Sequence, residues 1–437
     1  MIANSAMSSV PLLPKVAITG LGLVTPLGTS KESFFAGLAD GRSALALHSD
    51  LSSALPGELA GQPVWAGRVA EFGAQAAIEA GKRRRMPRLA QMCIVAAREA
   101  LGLLPGAGPK DASAIHAYGA KRLGVVLGTG LGGLDATIEF TRSFIDGGMA
   151  AASPAVFPYT VMNASAGLLA IELGLTGPNV TVNHRELSLP EAIAAGAELL
   201  QTGRADAVLC GGCDELAPWS LHGQWQLAAL APDLMTAQAA PIHPYEGVGQ
   251  GVVPGEGSVV VLLERTDRPP SAPPLAYLSG WGRVGDDRQR IGWPRAGASD
   301  QRVTAGAAAS IKHSLAMAGL RPNQLNWVAG AGNGSGLDEL ETQTLRAGLE
   351  AAAEQVAISS VIGQCGEWQT SAGVRLGAAL WSLSAQRVPG TTHCRTPDST
   401  RSLPGLVLHP QDALVHHVLL PTLSQGGGNI SLVFSKA

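Results

Sequence analysis

Aromatic side chains make up only 4% of the 437 residues, too few for the stacking platforms on which single-stranded nucleic acids are read. Charged residues are also scarce, 15% against about 25% in an average soluble chain. Together with 46% hydrophobic residues, this excludes a disordered or solvating polymer. The 31 Lys and Arg are balanced by 34 Asp and Glu, for a net charge of −3, so the basic footprint of a nucleic-acid binder is missing. Five scattered cysteines, Cys93, Cys210, Cys213, Cys365 and Cys394, do not make a disulfide framework and suit a reducing cytoplasm. No apolar run approaches the ~20 residues of a membrane span. The apolar stretch Met1 to Leu13 has no basic flank, the first cation being Lys15, so a signal peptide is not expected.

What the chain does have is glycine, 55 of 437 residues, without the three-residue period of collagen. Glycine at this density fits close backbone packing and tight turns. The length suggests two to four domain equivalents at about 100–200 residues each. Short apolar, β-branched runs such as Leu123 to Leu127, Val180 to Asn183, Ala207 to Cys210 and Val259 to Leu263 read as strands. Amphipathic or apolar stretches such as Pro87 to Leu103 and Leu189 to Thr202 read as helices, and Ser30 is placed to cap another. This alternation predicts an α/β protein with a mainly parallel sheet covered on both faces. The Pro-rich stretch Pro269 to Pro274 is the best linker signal. It divides the chain into residues 1–270 and 271–437, whose elements follow a similar order, as an internal duplication would produce.

Several segments, in chain order, resemble the condensing enzymes of the β-ketoacyl synthase family. They are VAITGLGLVTPLG (16–28), RRRMPRLAQMCIVAAREAL (83–101), VLGTGLGGLDA (126–136), ELGLTGPNVTV (172–182), ADAVLCGGCDE (205–215), HPYEGVGQGVVPGEGSVVVLLE (243–264) and GGGNISLVF (426–434). The resemblance implies a thiolase fold, with two duplicated α/β halves stacked as αβαβα in five layers, and a dimer. It also implies a chemistry in which a cysteine takes an acyl chain from an acyl carrier protein and two histidines assist decarboxylation and stabilise the enolate.

Matched motif by motif, this chain lacks those side chains. The cysteine position is Glu186, the first histidine is Ala331 and the second is Glu367; the supporting lysine falls near Ile362. The gating phenylalanine of the family's C-terminal loop is Gln425. The resemblance therefore narrows to the chain-length factors, or ketosynthase-β subunits, of type II polyketide synthases. These usually carry Gln at the cysteine position, so Glu186 is a departure. The role implied is a catalytically silent subunit that pairs with an active ketosynthase and shapes the tunnel that sets chain length. A malonyl-carrier-protein decarboxylase and a non-catalytic acyl-binding homodimer are the alternatives.

By the same resemblance, Leu131, Asp135, Ile138 and Val156 are candidates for plugging or opening the partner's tunnel, against ordinary helix packing. Arg83, Arg84 and Arg85 are candidates for docking an acidic carrier protein and its phosphopantetheine phosphate, against a solvated helix face with structural ion pairs. Glu186 either seals the acyl entrance or sits in an internal ion pair, for example with His184 or Arg185; in both cases an isolated buried carboxylate would be costly, so hydrogen bonds or a raised pKa are expected. The Cys210-x-x-Cys213 spacing lacks the further ligands zinc would need, and Gly128-x-Gly130-x-x-Gly133 lacks the acidic strand end of a dinucleotide site. Neither a metal nor a cofactor of its own is expected, only the carrier protein's phosphopantetheine.

Overall fold

The computed structural model describes residues 15–84, 86–227, 229–247, 251–286 and 301–437, with side chains from residue 304 in the last stretch. Ten strands build the central sheet: β1 (Val16–Val24), β2 (Leu123–Gly128), β3 (Asn179–Val182), β4 (Ala207–Asp214), β5 (Gly257–Arg265), β6 (Ala276–Gly285), β7 (Trp327–Gly330), β8 (Ala357–Ser360), β9 (His417–Leu423) and β10 (Gly428–Lys436). Their spatial order is β8-β7-β9-β10-β6-β1-β5-β4-β2-β3. Read within each half, this is one order twice, 3-2-4-5-1. The strand senses repeat too. β2 is parallel to β3 and β4, as β7 is parallel to β8 and β9, while β5 and β10 run antiparallel to both neighbours. The halves meet where Val16, Ala17 and Ile18 pair antiparallel with Leu278, Tyr277 and Ala276.

The mainly parallel sheet expected from the strand–helix alternation is corrected here: five of the nine strand pairings in the sheet are antiparallel. Alternation of elements did not reveal direction, because strands buried on both faces carry no pattern that depends on it.

The principal helices are α1 (Arg88–Ala100), α2 (Leu134–Gly147), α3 (Ala164–Leu173), α4 (Ser188–Gln201), α5 (Pro218–Gln226), α6 (Gln301–Ala318), α7 (Leu337–Leu349) and α8 (Ala372–Ala385). Side-chain alternation sorts them into layers. Val125 and Leu127 of β2 face outward into the cluster built with α1 and α3. Val126 between them faces the central cluster that holds α4 and α8. In the second half, Leu419 and Val433 join the outer cluster that includes Ile311, Leu345 and Leu349, while Val418, Leu420, Leu432 and Phe434 turn inward. The result is five layers, with α4 and α8 between the sheet halves. A middle-layer helix must be apolar all round, and α8 is buried at every position from Ala372 to Leu383.

The duplication is also visible in where glycine is required. On β1, a Cβ at Gly20 or Gly22 would run into the carbonyls of Ala100 and Ala96 on α1. On β6, a Cβ at Gly280 or Gly282 would run into those of Ser314 and Ser310 on α6. Two glycines at i and i+2 put one bare strip of strand against the outer helix in each half.

The two outer edges of the sheet differ. β8 is covered within the chain: the Ile358 amide donates to Gly405, and its carbonyl accepts from Val407, at 3.0 and 2.8 Å. β3 pairs with β2 alone among the described residues, and its first two residues are exposed.

Candidate functional site

β3, β7 and β8 each run parallel to a neighbour, and α/β proteins gather their sites beyond the C-terminal ends of such strands. The segments that follow them bring the matched positions together. Glu186 lies on a short turn between β3 and α4, Ala331 follows β7, Ile362 opens the short helix after β8, and Glu367 lies two residues beyond that helix. All four line one cavity, with Gln369, Arg375 and Thr422 among its other walls. The cavity has a volume of ≈ 20 Å³, space for about one water. Ligand pockets run to hundreds of Å³, so no acyl group fits it as it stands.

Glu186 is 9% exposed, and Oε2 accepts a 2.7 Å hydrogen bond from the Ser424 hydroxyl. Burial raises its pKa, against the Ser424 bond, a backbone amide at Gln425 and the more remote charge of Arg185. The expectation of an ion pair with His184 or Arg185 is thus corrected. The direct side-chain partner is a neutral hydroxyl from the loop after β9, which the sequence distance of 238 residues concealed.

Glu367 accepts from the Asn333 amide, and its backbone is pinned to Val253 and Gly255. Desolvation pushes its carboxyl up to about 8, with the nearby charges of Glu186 and Asp338 adding to the effect. Asn333 is itself held by Asp338, whose Oδ1 accepts from the Asn333 amide at 2.8 Å. Burial drives Asp338 up to about 7.

Beneath this floor lies a charged network that motif reading missed. Fully buried Arg375 donates to the Ala329 carbonyl at 3.0 and 2.8 Å and also to Pro421. Glu341 accepts from the Ala331 amide and from the Tyr245 hydroxyl, each at 2.7 Å. Tyr245 has φ +60, an uncommon conformation for a bulky residue. Its amide donates to Asp338 at 2.6 Å, and its ring fills the space that side chains at Gly330 and Gly332 would occupy. The signal was available: Arg375 is the only charge in an otherwise apolar helix, and Asp338 and Glu341 are three residues apart on α7.

Raised carboxyl pKa values have a definite consequence for stability. The folded state holds the Glu367 proton up to about pH 8, whereas the unfolded chain releases it near 4.5. Stability is therefore fully present below about pH 4.5 and is lost as pH rises towards 8. Glu367→Gln is expected to raise Tm at pH 8 and to change it little at pH 4, where both side chains are neutral. Thermal scans of wild type and variant at the two pH values check this, and an equal shift at both would contradict it.

The other singled-out residues lie elsewhere. Leu131, Asp135, Ile138 and Val156 are half-buried on or near α2, a helix with no fully buried residue. Asp135 has its pKa raised by burial, with a backbone hydrogen bond at Trp219; its Oδ1 is buried without a hydrogen-bond partner among the described residues. The Arg142 guanidinium lies 4.2 Å from the Trp219 ring centroid, so α5 braces α2, a coupling the sequence did not suggest. Gln425 sits on the loop beside Glu186.

In the basic run, Lys82 pairs with Glu172 at 3.0 Å, and Arg88 pairs with the fully buried Glu256 at 2.7 Å. Arg83 is half-buried and Arg84 exposed, while Arg85 lies outside the described residues. Cys210 faces the central cluster and Cys213 the outer one, so the C-x-x-C pair cannot close on itself. Cys365 adjoins the cavity wall, but burial lifts its thiol to about 12, against hydrogen bonding from Leu27 and Thr25. Among the described residues no group of three or more His, Cys, Asp or Glu is placed to hold a metal. No described helix is long and apolar enough to cross a membrane.

A doubled 3-2-4-5-1 sheet, with its site at the strand ends beside a buried middle helix, defines a thiolase-like protein. Residues 14–268 match the β-ketoacyl synthase N-terminal domain and residues 275–395 its C-terminal domain; the chain belongs to the β-ketoacyl synthase family. It is 27% identical over 431 residues to 3-oxoacyl-[acyl-carrier-protein] synthase 2 of Synechocystis sp., covering 97% of this chain and 98% of that one. Among solved structures it resembles a complex of a type II polyketide synthase acyl-carrier protein with its ketosynthase, with TM-score 0.82 and 19% identity, covering 97% of this chain and 100% of the other. It also resembles a ketosynthase in complex with its chain length factor from Xenorhabdus doucetiae, with TM-score 0.80 and 23% identity, covering 99% and 100%. These structural likenesses establish the fold.

Proposed function

We propose that this chain is a catalytically silent ketosynthase-like subunit, a chain-length factor, that pairs with an active ketosynthase and helps shape the tunnel in which the partner grows its chain. The carrying observation is the cavity. Glu186, Ala331, Ile362 and Glu367 line it, and by the motif resemblance Glu186, Ala331 and Glu367 stand for the family's nucleophile and two histidines, with the lysine near Ile362. A carboxylate at the nucleophile position forms no stable thioester. Ala331 and Glu367 offer no imidazole to an enolate, which also weighs against a decarboxylase.

The partner reading rests on the bare edge of β3 and on exposed apolar side chains of residues 144–171, the segment that precedes it in the chain. Phe144, Ile145, Met149, Phe157, Met162 and Ile171 are 47–83% exposed, a density that marks an interaction face. An unpaired strand edge is itself a template for pairing. The interface belongs in the obligate range, roughly 2,000–5,000 Å². In this reading the chain divides at residues 270 and 271. Arg83, Arg84 and Arg85 meet the acidic carrier protein and its phosphopantetheine, and Leu131, Asp135, Ile138, Val156 and Gln425 bear on tunnel length.

Co-expression with a candidate partner ketosynthase, followed by mass measurement of the complex and its products from malonyl-carrier protein, tests this. A 1:1 complex is expected, making a product of defined length, with this chain never acylated. Leu131→Ala or Val156→Ala should then shift product length by at least one malonyl unit. A stable homodimer that releases carbon dioxide by itself, with loss of that activity in Glu186→Ala, would overturn it.

A further inference from the structure

The loop Ser424–Gly428 closes the β9–β10 hairpin beside the cavity and carries no titratable side chain. Its internal bonds converge on Ser424, whose amide donates to Gly428 at 3.0 Å and whose carbonyl accepts from Gly427 at 3.1 Å. The Ser424 hydroxyl accepts from the Gly426 amide at 3.1 Å and donates to Glu186. That hydroxyl is the side-chain link between the loop and the cavity wall, beside a backbone amide at Gln425. Glu367 lines the same cavity as Glu186.

We propose that Glu186 and Glu367 form an acid-pair latch, which holds the Ser424–Gly428 loop shut while the pair keeps a proton and frees it when both are charged. Two like charges on a cavity the size of one water cannot both be accommodated in a desolvated site. The charge of Arg375 favours the charged form of Glu367, but burial, Glu186 and Asp338 outweigh it, and its guanidinium donates to the Ala329 and Pro421 carbonyls and not to either acid. Driving Glu186 away from Glu367 breaks the one side-chain bond that pins Ser424. The direction of both pKa shifts agrees, each carboxyl being held towards its neutral form by burial.

The other charged groups around the loop do not supply this switch. His184 lies beside Gly428 and Arg185 beside Gly426, both from the turn that carries Glu186. The positive charge of Arg185 would hold Glu186 in its charged form rather than release it. Asp286, at the end of β6, meets the loop through its backbone amide, which donates to Gly427 at 2.7 Å. Asp338 and Glu341 lie behind Asn333 and Ala331 and bear on the pair only at a distance. The latch stands on this geometry alone and does not require the partner reading.

Hydrogen exchange on the full-length chain, corrected for the intrinsic pH dependence of exchange, tests it. Amides of Gly426 to Gly428 are expected to lose about tenfold in protection between pH 6.5 and 9, the effect of one pKa unit. Glu367→Gln should hold that protection across the range, since the second charge cannot form. Ser424→Ala, which removes only a hydroxyl, should show low protection at every pH. Unchanged protection in wild type, or the same fall in Glu367→Gln, would overturn the latch. So would a parallel fall in Val259 to Leu263 of β5, which would mean general loosening instead.

Discussion

Arg375→Ala is expected to be the most destabilising single substitution near the site, by about 3–5 kcal/mol, the usual cost of removing one member of a buried charged set. Arg375 ties the end of β7 to β9 through the carbonyls of Ala329 and Pro421. Without it those acceptors are buried and unsatisfied, and the attraction that moderates Glu341 is lost. A neighbouring carboxyl can escape by taking up a proton, so the deficit should be smallest in acid and grow towards neutral pH. Urea unfolding at pH 5 and pH 8 measures this. A loss below about 1 kcal/mol at pH 8, the scale of an ordinary exposed ion pair, would show that water has replaced the guanidinium. Arg375→Lys separates charge from shape: it keeps a cation but cannot reach two carbonyls with one planar fork, and it should recover only part of the stability.

That network illustrates where the sequence could be read and where it could not. The strands at Leu123 to Leu127 and Val259 to Leu263 were legible because a continuous apolar run in so short a segment suits a strand covered on both faces. Ser30 was legible as a cap, and it does accept from the Ser33 amide. Strand direction was not legible: β5 and β10 are as apolar as their parallel neighbours, and only the connections around them decide their sense. The four wall positions of the cavity were found by resemblance to the family's motifs, with nothing in their own spacing to unite residues 186, 331, 362 and 367. What substitution did to them was beyond that comparison. The comparison says which residue types stand at the matched positions, but the Glu186–Ser424 bond depends on the placement of a loop far away in sequence. The bracing of α2 by Trp219 was hidden for the same reason, since a cation resting on an aromatic ring leaves no periodic trace.

Placing a charge on the exposed apolar segment should strongly weaken partner binding while leaving the chain itself folded. Ile145 and Met149 are 72% and 83% exposed, so an aspartate at either meets water in the free chain and should change its stability by no more than about 0.5 kcal/mol. In a complex the same carboxylate would be buried without a partner, and desolvating it is costly. Ile145→Asp is expected to weaken the complex by about 100-fold, or ~2.7 kcal/mol, and the double variant with Met149→Asp further still. Interface residues are not equal, and positions at the centre of a packed patch carry most of the affinity. Leu104 supplies the control: it is 74% exposed but lies on the turn after α1, so Leu104→Asp should leave the complex intact. Native mass measurement of the co-purified species gives the answer directly. If the double variant still co-purifies 1:1, the face around β3 is not the contact. If the wild-type chain proves to be a homodimer and the same variant makes it a monomer, the face is the contact but the partner is a second copy. The bare β3 edge would then be closed by its own twin, since a twofold axis brings the same strand against itself.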